Sequence, residues 1–277
     1  MANKKEEVKI KPFWYSDIWL FPKMITIVTS MDEQGRINAA PYSHIMQYDV
    51  MQKNPRMIIG FRQESHSFEN IVATGEFVVN CPSADYLDDM MDTARFWPEG
   101  VNELEHTRFT MIPSLKVKPP SIAECPQIAE CTVDQIIRLD KSSGIVIANI
   151  EAIVMDEGLK DMDRAERIPA MNLPIGLGDQ NRRYYYHAKL NDENIVMHEL
   201  AEPPGGQKGG KIKMTMPWTD EATGGLMDIP VALRKMVAGQ LEEHAVKKGA
   251  DTVTAQHMVE MAEEYGIDAE LMARFKT

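Results

Sequence analysis

Ile25-Thr26-Ile27-Val28-Thr29-Ser30 is a run of β-branched and hydroxyl residues that reads as a strand, and the turns and strands after it decide the fold. Asp32-Glu33-Gln34-Gly35-Arg36 turns the chain into Ile37-Asn38-Ala39-Ala40-Pro41-Tyr42-Ser43. A further strand, Met57-Ile58-Ile59-Gly60-Phe61, runs into the polar turn Arg62-Gln63-Glu64-Ser65-His66-Ser67. A short helix over 67–73 and the strand Glu76-Phe77-Val78-Val79-Asn80 come next. This order sets two polar turns, rich in hydroxyls and backbone donors, at the ends of apolar strands. Such turns can hold a flat, phosphorylated cofactor.

At 277 residues the chain can form one large domain or two ordinary ones. Its composition, 44% hydrophobic and 26% charged, is that of a globular protein in water. A formal charge of −12 argues against a nucleic-acid surface and against an anionic membrane as partners. No apolar run reaches the roughly 18 residues of a membrane span. The charged start Met1-Ala2-Asn3-Lys4-Lys5-Glu6-Glu7 lacks the apolar core of a signal peptide, so the expected location is cytoplasmic. Cys81, Cys125 and Cys131 show no Cys-x-x-Cys spacing and read as small buried side chains.

Working outward, 130–139 alternates, with Cys131, Val133, Ile137 and Leu139 assigned to the core face and Glu130, Thr132, Asp134 and Arg138 to solvent. Asp140 to Gly144 reads as a hairpin loop, and 145–154 returns as the partner strand. Antiparallel strands without βαβ alternation predict a mainly β (α+β) architecture, a barrel rather than a Rossmann sheet. Pro203-Pro204-Gly205-Gly206-Gln207-Lys208-Gly209-Gly210-Lys211 reads as a linker. It formally satisfies the start of a P-loop, but Ile212 stands where a Ser or Thr would bind magnesium, and no strand precedes it. Beyond it the pattern is helical. Thr219 caps one helix, Leu233, Val237, Leu241 and Ala245 stripe a second, and Thr254 caps a third that carries Met258, Met261 and Tyr265.

The stretch from Pro22 to Ser83 resembles the flavin-reductase-like family of FMN-binding split barrels, which includes the flavoredoxins. Ser114 to Pro120 and the pair Glu130-Cys131 extend the likeness to about residues 20 to 198. The segment 85–105 departs from the family pattern. A second resemblance, through Met216-Pro217-Trp218-Thr219, Ile229-Pro230, Arg234, Glu242 and Val253-Thr254, is to the small C-terminal helical domain of one subunit of light-independent protochlorophyllide reductase. The expected organisation is a split β-barrel over about 10–200, a linker at 201–211 and a helical domain at 212–277.

The first resemblance implies FMN as cofactor, oxidoreduction through it, and a flavin placed at a homodimer interface. It implies cofactor-binding roles for Asn38, Ser43 and the turn from Arg62 to Ser67. The residue chemistry agrees. Arg62, Ser65, His66 and Ser67, with the amides that open the helix, suit a dianionic phosphate. Ala40 lets the backbone of the run Asn38, Tyr42, Ser43, His44 approach a ring, and donors near its N1 and O2 raise its potential. The plain alternative is that Asn38 ends a hairpin and Ser43 caps an irregular segment. A metal held by His44, His66 and Glu64 lacks a further ligand at suitable spacing. Arg182-Arg183-Tyr184-Tyr185-Tyr186-His187 reads as core or interface rather than a nucleic-acid patch. Three roles stay open: an FMN reductase using NAD(P)H as transient donor, an FMN electron carrier reduced by a partner protein docking on the helical domain, and a split barrel that binds haem or serves as a scaffold.

Overall fold

The structure is a computed structural model describing residues 5–8, 21–49, 55–62, 64–95, 97–140, 143–177, 187–197, 212–229, 231–265 and 267. Arg182 to Tyr186, the stretch 201–211 and the final turn from Asp268 lie outside these residues. The chain divides into two compact units, 1–197 and 198–277.

The first unit is built on antiparallel strands. In chain order these are β1 (Lys23–Met24), β2 (Thr26–Met31), β3 (Ile37–Tyr42), β4 (Ile45–Tyr48), β5 (Arg56–Arg62), β6 (Glu76–Cys81), β7 (Met111–Ile112), β8 (Ser121–Ile122), β9 (Gln127–Arg138), β10 (Ser143–Met155), β11 (Pro174–Gly176) and β12 (His187–Lys189). A seven-stranded sheet runs in the order β3-β2-β6-β9-β10-β5-β4. Its middle is buried on both faces, which is why β2 and β6 carry apolar residues on consecutive positions and bury Thr26, Thr29, Ser30 and Asn80 with them. Ile27 and Val78 join one core with Met90, Leu104 and Ile128, while Val28, Phe77 and Val79 join another with Ile59, Phe61 and Phe68.

The helix α1 (His66–Thr74) fills the gap between β5 and β6. Its Phe68 and Ile71 enter the second core, and Gly75 ends it in the left-handed region at φ 74°. Tyr42 at the end of β3 meets Phe61 of β5 edge to face, with ring centroids 4.6 Å apart. Strands near opposite edges of the sheet are thereby drawn together into a curled, barrel-like form.

The alternation predicted for 130–139 holds only in part. A bulge lies where Gln135 pairs with Ile147 but Val133 pairs with Ala148, so Asp134 is the extra residue. Beyond it the phase inverts: Ile136 packs on the core, whereas Ile137 and Leu139 are exposed. Glu130, assigned to solvent, is fully buried, because its carboxylate accepts the backbone N–H groups of Leu115 at 2.8 Å and Lys116 at 2.5 Å. The hairpin loop is also shorter than expected, since β10 begins at Ser143.

After β6 the chain forms α2 (Leu87–Asp92) and a 3-10 turn over Glu103–His106. Arg108 clasps Asp89 by its backbone N–H at 2.8 Å and its guanidinium at 2.6 Å, while Met90 and Leu104 enter the first core. The segment that departs from the family pattern is therefore integral to the unit. Further on lies α3 (Arg164–Met171).

The second unit holds α4 (Asp220–Met227), α5 (Val231–Lys247) and α6 (Ala255–Glu264) around Ala222, Leu241, Ala245, Val253 and Met261. Thr219 caps α4 by accepting from the N–H of Ala222, and Thr254 with His257 forms a capping box on α6. Glu242 accepts from the Thr215 N–H at 2.7 Å and the Trp218 indole at 3.1 Å. Among the described residues no helix is long and apolar enough to cross a membrane.

Candidate functional site

β3 and the start of α1 meet side by side. The Asn38 amide lies 2.9 Å from Ser67 Oγ, and the Tyr42 hydroxyl donates to Ser65 Oγ at 3.3 Å. Ser65 Oγ accepts from the Phe68 N–H as the helix cap and donates to the Arg62 carbonyl at 2.8 Å. The two polar turns, separate in sequence, form one hydrogen-bonded wall. Asn38 and Ser67 are buried, Tyr42, Ser65 and His66 half-buried, and Arg62 exposed.

A polar cleft of about 70 Å³, open to solvent, touches this wall at Asn38 and His66 and is further lined by Arg36, Asn70, Glu99 and Gly100. Arg36 is held by Asp32 at 2.5 Å and Glu99 at 3.1 Å. Burial pushes the Tyr42 phenol up, opposed by the Ser65 and Ser67 hydroxyls and by the Arg62 charge.

The other predicted residues sit farther along the same edge. Ala40 pairs with Val28 inside the sheet, and Ser43 and His44 form the bend between β3 and β4. The His44 carbonyl accepts from the Gly60 N–H at 2.8 Å, and its ring Nε2 lies 3.2 Å from Lys23 Nζ. Among the described residues no group of three or more His, Cys, Asp or Glu side chains is placed to hold a metal. The three cysteines are buried, and desolvation pushes the Cys81 thiol up to about 11 and those of Cys125 and Cys131 well up too, so none is poised as a nucleophile.

Glu103 is the residue that sequence reasoning missed. It is 5% exposed, and its Oε2 accepts the Ala39 N–H at 2.7 Å. Its Oε1 lies 3.3 Å from the Asn38 amide nitrogen when the amide oxygen faces Ser67. Burial raises its affinity for a proton, opposed by the Ala39 N–H and by the nearby charge of His66. Asn102, which caps the Glu103–His106 turn through the Leu104 N–H, is the local signal for its placement.

The groups here that could hold a ligand are the Asn38 amide and Tyr42 hydroxyl on β3, the start of α1 and the exposed guanidinium of Arg62. Residues 18–187 match the family described as "Flavin reductase like domain", and the chain belongs to that family. An uncharacterized protein of Methanothermobacter thermautotrophicus is 33% identical over 117 residues, covering 42% of this chain and 54% of that one. One from Bacillus subtilis is 29% identical over 136 residues, covering 47% and 65%. The chain thus spans about half to two thirds the length of these curated relatives.

Among solved structures, nitrilotriacetate monooxygenase component B from Bacillus cereus aligns with a TM-score of 0.60 at 22% identity, over 71% of this chain and 100% of that one. Flavoredoxin of Desulfovibrio vulgaris aligns at 0.55 and 18% identity, over 74% and 100%. These likenesses show the split-barrel fold.

Proposed function

We propose that the protein is an FMN-dependent oxidoreductase of the flavin reductase or flavoredoxin type. The observation that carries this reading is the wall itself, in which Asn38 and Tyr42 of β3 are hydrogen-bonded to Ser67 and Ser65 at the start of α1. When bound, FMN supplies hydride and electron acceptance at its ring. Arg62 and the first amides of α1 hold the phosphate, with Ser65 fixing the turn and His66 beside it. Asn38, Ala40, Tyr42, Ser43 and His44 form the side along which the ring lies, the small Ala40 permitting close approach. None of these side chains is required to move a proton, so they bind and orient.

Family membership and the names of the fold's neighbours support a flavin, and the reading takes it as FMN with its phosphate at the Arg62–Ser67 turn. The reading extends to a homodimer that completes the flavin site, to NAD(P)H as transient donor, and to a cytoplasmic location. The helical unit, with its likeness to the protochlorophyllide reductase subunit domain, is read as a docking module for a redox partner protein. Anaerobic mixing of the FMN-loaded protein with NADH or NADPH tests the enzyme role. Bleaching of the flavin within seconds supports a reductase, whereas bleaching only with a reduced protein donor assigns an electron carrier.

A further inference from the structure

The Asn38 amide is wedged between a carboxylate and a hydroxyl, and its two ends cannot be interchanged freely. One end lies 2.9 Å from Ser67 Oγ, the other 3.3 Å from Glu103 Oε1. An ionised carboxylate only accepts. With Glu103 ionised, the amide nitrogen must face it, and the amide oxygen then accepts from the Ser67 hydroxyl and, at 3.2 Å, from the Ala39 N–H. The reverse orientation sets two acceptors against each other in a buried place.

A proton on Glu103 Oε1 inverts this preference. The carboxyl O–H donates to Asn38 Oδ1, Nδ2 donates to Ser67 Oγ, and the Ser67 hydroxyl must send its own proton elsewhere, on the side of Tyr42. One proton from solvent is taken up, and no covalent bond other than that O–H is made or broken. We propose that Glu103 is a positioning residue whose protonation sets the orientation of the Asn38 amide, and thereby whether the buried Ser67 hydroxyl donates inward to Asn38 or outward to the Tyr42 hydroxyl, which passes the change on to Ser65 in the Arg62–Ser67 turn. The effect on a bound anion rests on the reading of that turn as a phosphate site.

Burial of Glu103 favours its neutral form. The groups facing it are His66 from α1 and Tyr42 from β3. Across the cleft, Arg36 is already engaged by Asp32 and Glu99. A donor passed outward to the turn favours a phosphate dianion, so FMN binding draws a proton onto Glu103 and tightens as pH falls through its midpoint.

The test uses the full chain, isotope-labelled, as wild type and Glu103→Gln. A glutamine whose Oε1 accepts the Ala39 N–H turns its Nε2 toward Asn38 and mimics the protonated state. In the apoprotein, the Asn38 side-chain amide signals should move with the same midpoint as the Glu103 carboxyl carbon, and that midpoint should be absent from Glu103→Gln. FMN affinity should fall with rising pH more steeply in wild type, by up to about tenfold per unit. Glu103→Gln at high pH should bind FMN about tenfold more tightly than wild type. His66 is present in both proteins, so the difference between them isolates Glu103. Ser67→Ala should keep the Asn38 titration and lose the FMN effect. An Asn38 amide that stays still while Glu103 titrates would overturn the proposal, as would equal pH profiles in wild type and Glu103→Gln. If neither protein binds flavin, the cofactor assignment falls, and the apoprotein titration alone decides the amide switch.

Discussion

Gly144 of β10 and Phe68 of α1 share one packing space: a Cβ on Gly144 would stand 2.4 Å from two atoms of the Phe68 ring. The ring is 1% exposed and has the Arg138 guanidinium 5.2 Å above it, so it has no room to retreat. Only glycine lets α1 press this closely on the strand. Gly144→Ala should cost about 1–3 kcal/mol in a urea titration, the cost of overpacking. At an unobstructed position the same change would stabilise by about 0.4–1 kcal/mol. An unchanged or raised midpoint would show that the ring yields.

Arg62 is exposed at the end of β5, one turn ahead of the helix that Ser65 caps. Arg62→Ala is expected to weaken FMN binding by about 1.5–3 kcal/mol, the worth of a charge-assisted hydrogen bond, and to leave riboflavin binding unaltered. Isothermal titration with both ligands separates the cases. Undiminished FMN affinity, or an equal loss for riboflavin, would remove Arg62 from the phosphate.

Glu130 holds the 115–116 backbone from inside the sheet, accepting from Leu115 and Lys116 with both oxygens. Glu130→Ala removes the acceptor of both amides, which belong to the exposed residues Leu115 and Lys116, and should cost about 0.5–1.5 kcal/mol for each lost hydrogen bond. Glu130→Gln keeps one acceptor and should lose roughly half as much. Faster hydrogen exchange at residues 115 and 116 would accompany the loss. Protection at those amides equal to wild type in the alanine variant would contradict this account.

In the helical unit, His244 and then Lys248 hold the Glu260 carboxyl down to about 2 from an ordinary 4.5. Because the folded value is the lower one, the stabilisation is fully present above the unfolded value and is lost as pH falls through the folded one. Unfolding of this unit, followed by the Val253 and Thr219 amide signals, should therefore show an acid-side loss of stability between about pH 4.5 and pH 2. Glu260→Gln should flatten that window. An identical acid limb in the variant would assign the loss to other groups.

The strands 25–30 and 76–80 are legible because both their faces are buried, which packs β-branched and aromatic residues on consecutive positions with only small polar groups between or beside them. The caps at Thr219 and Thr254 are legible because capping is local chemistry, whereas Ser65, read only as a hydroxyl of the phosphate turn, also caps α1. Non-local relationships are hidden. The Asn38–Ser67 contact spans 29 residues, and the polarity of each turn does not say that they touch. The bulge at Asp134 inverts the alternation of β9 without altering its composition, so Ile136 and Ile137 exchange faces unannounced. Glu103 sits among Glu99 and Glu105, where an acidic run reads as solvated, and only the packing of Leu104 into the core turns its neighbour inward.

The central claim is that the wall joining β3 to α1 binds FMN. Its most direct test is the absorption spectrum of the purified full chain, before and after addition of FMN and removal of the unbound excess. The account predicts flavin bands in the near-ultraviolet and blue that remain with the protein, and their loss in the double variant Asn38→Ala, Arg62→Ala. A protein that is colourless as purified and retains no FMN added at micromolar concentration would contradict it.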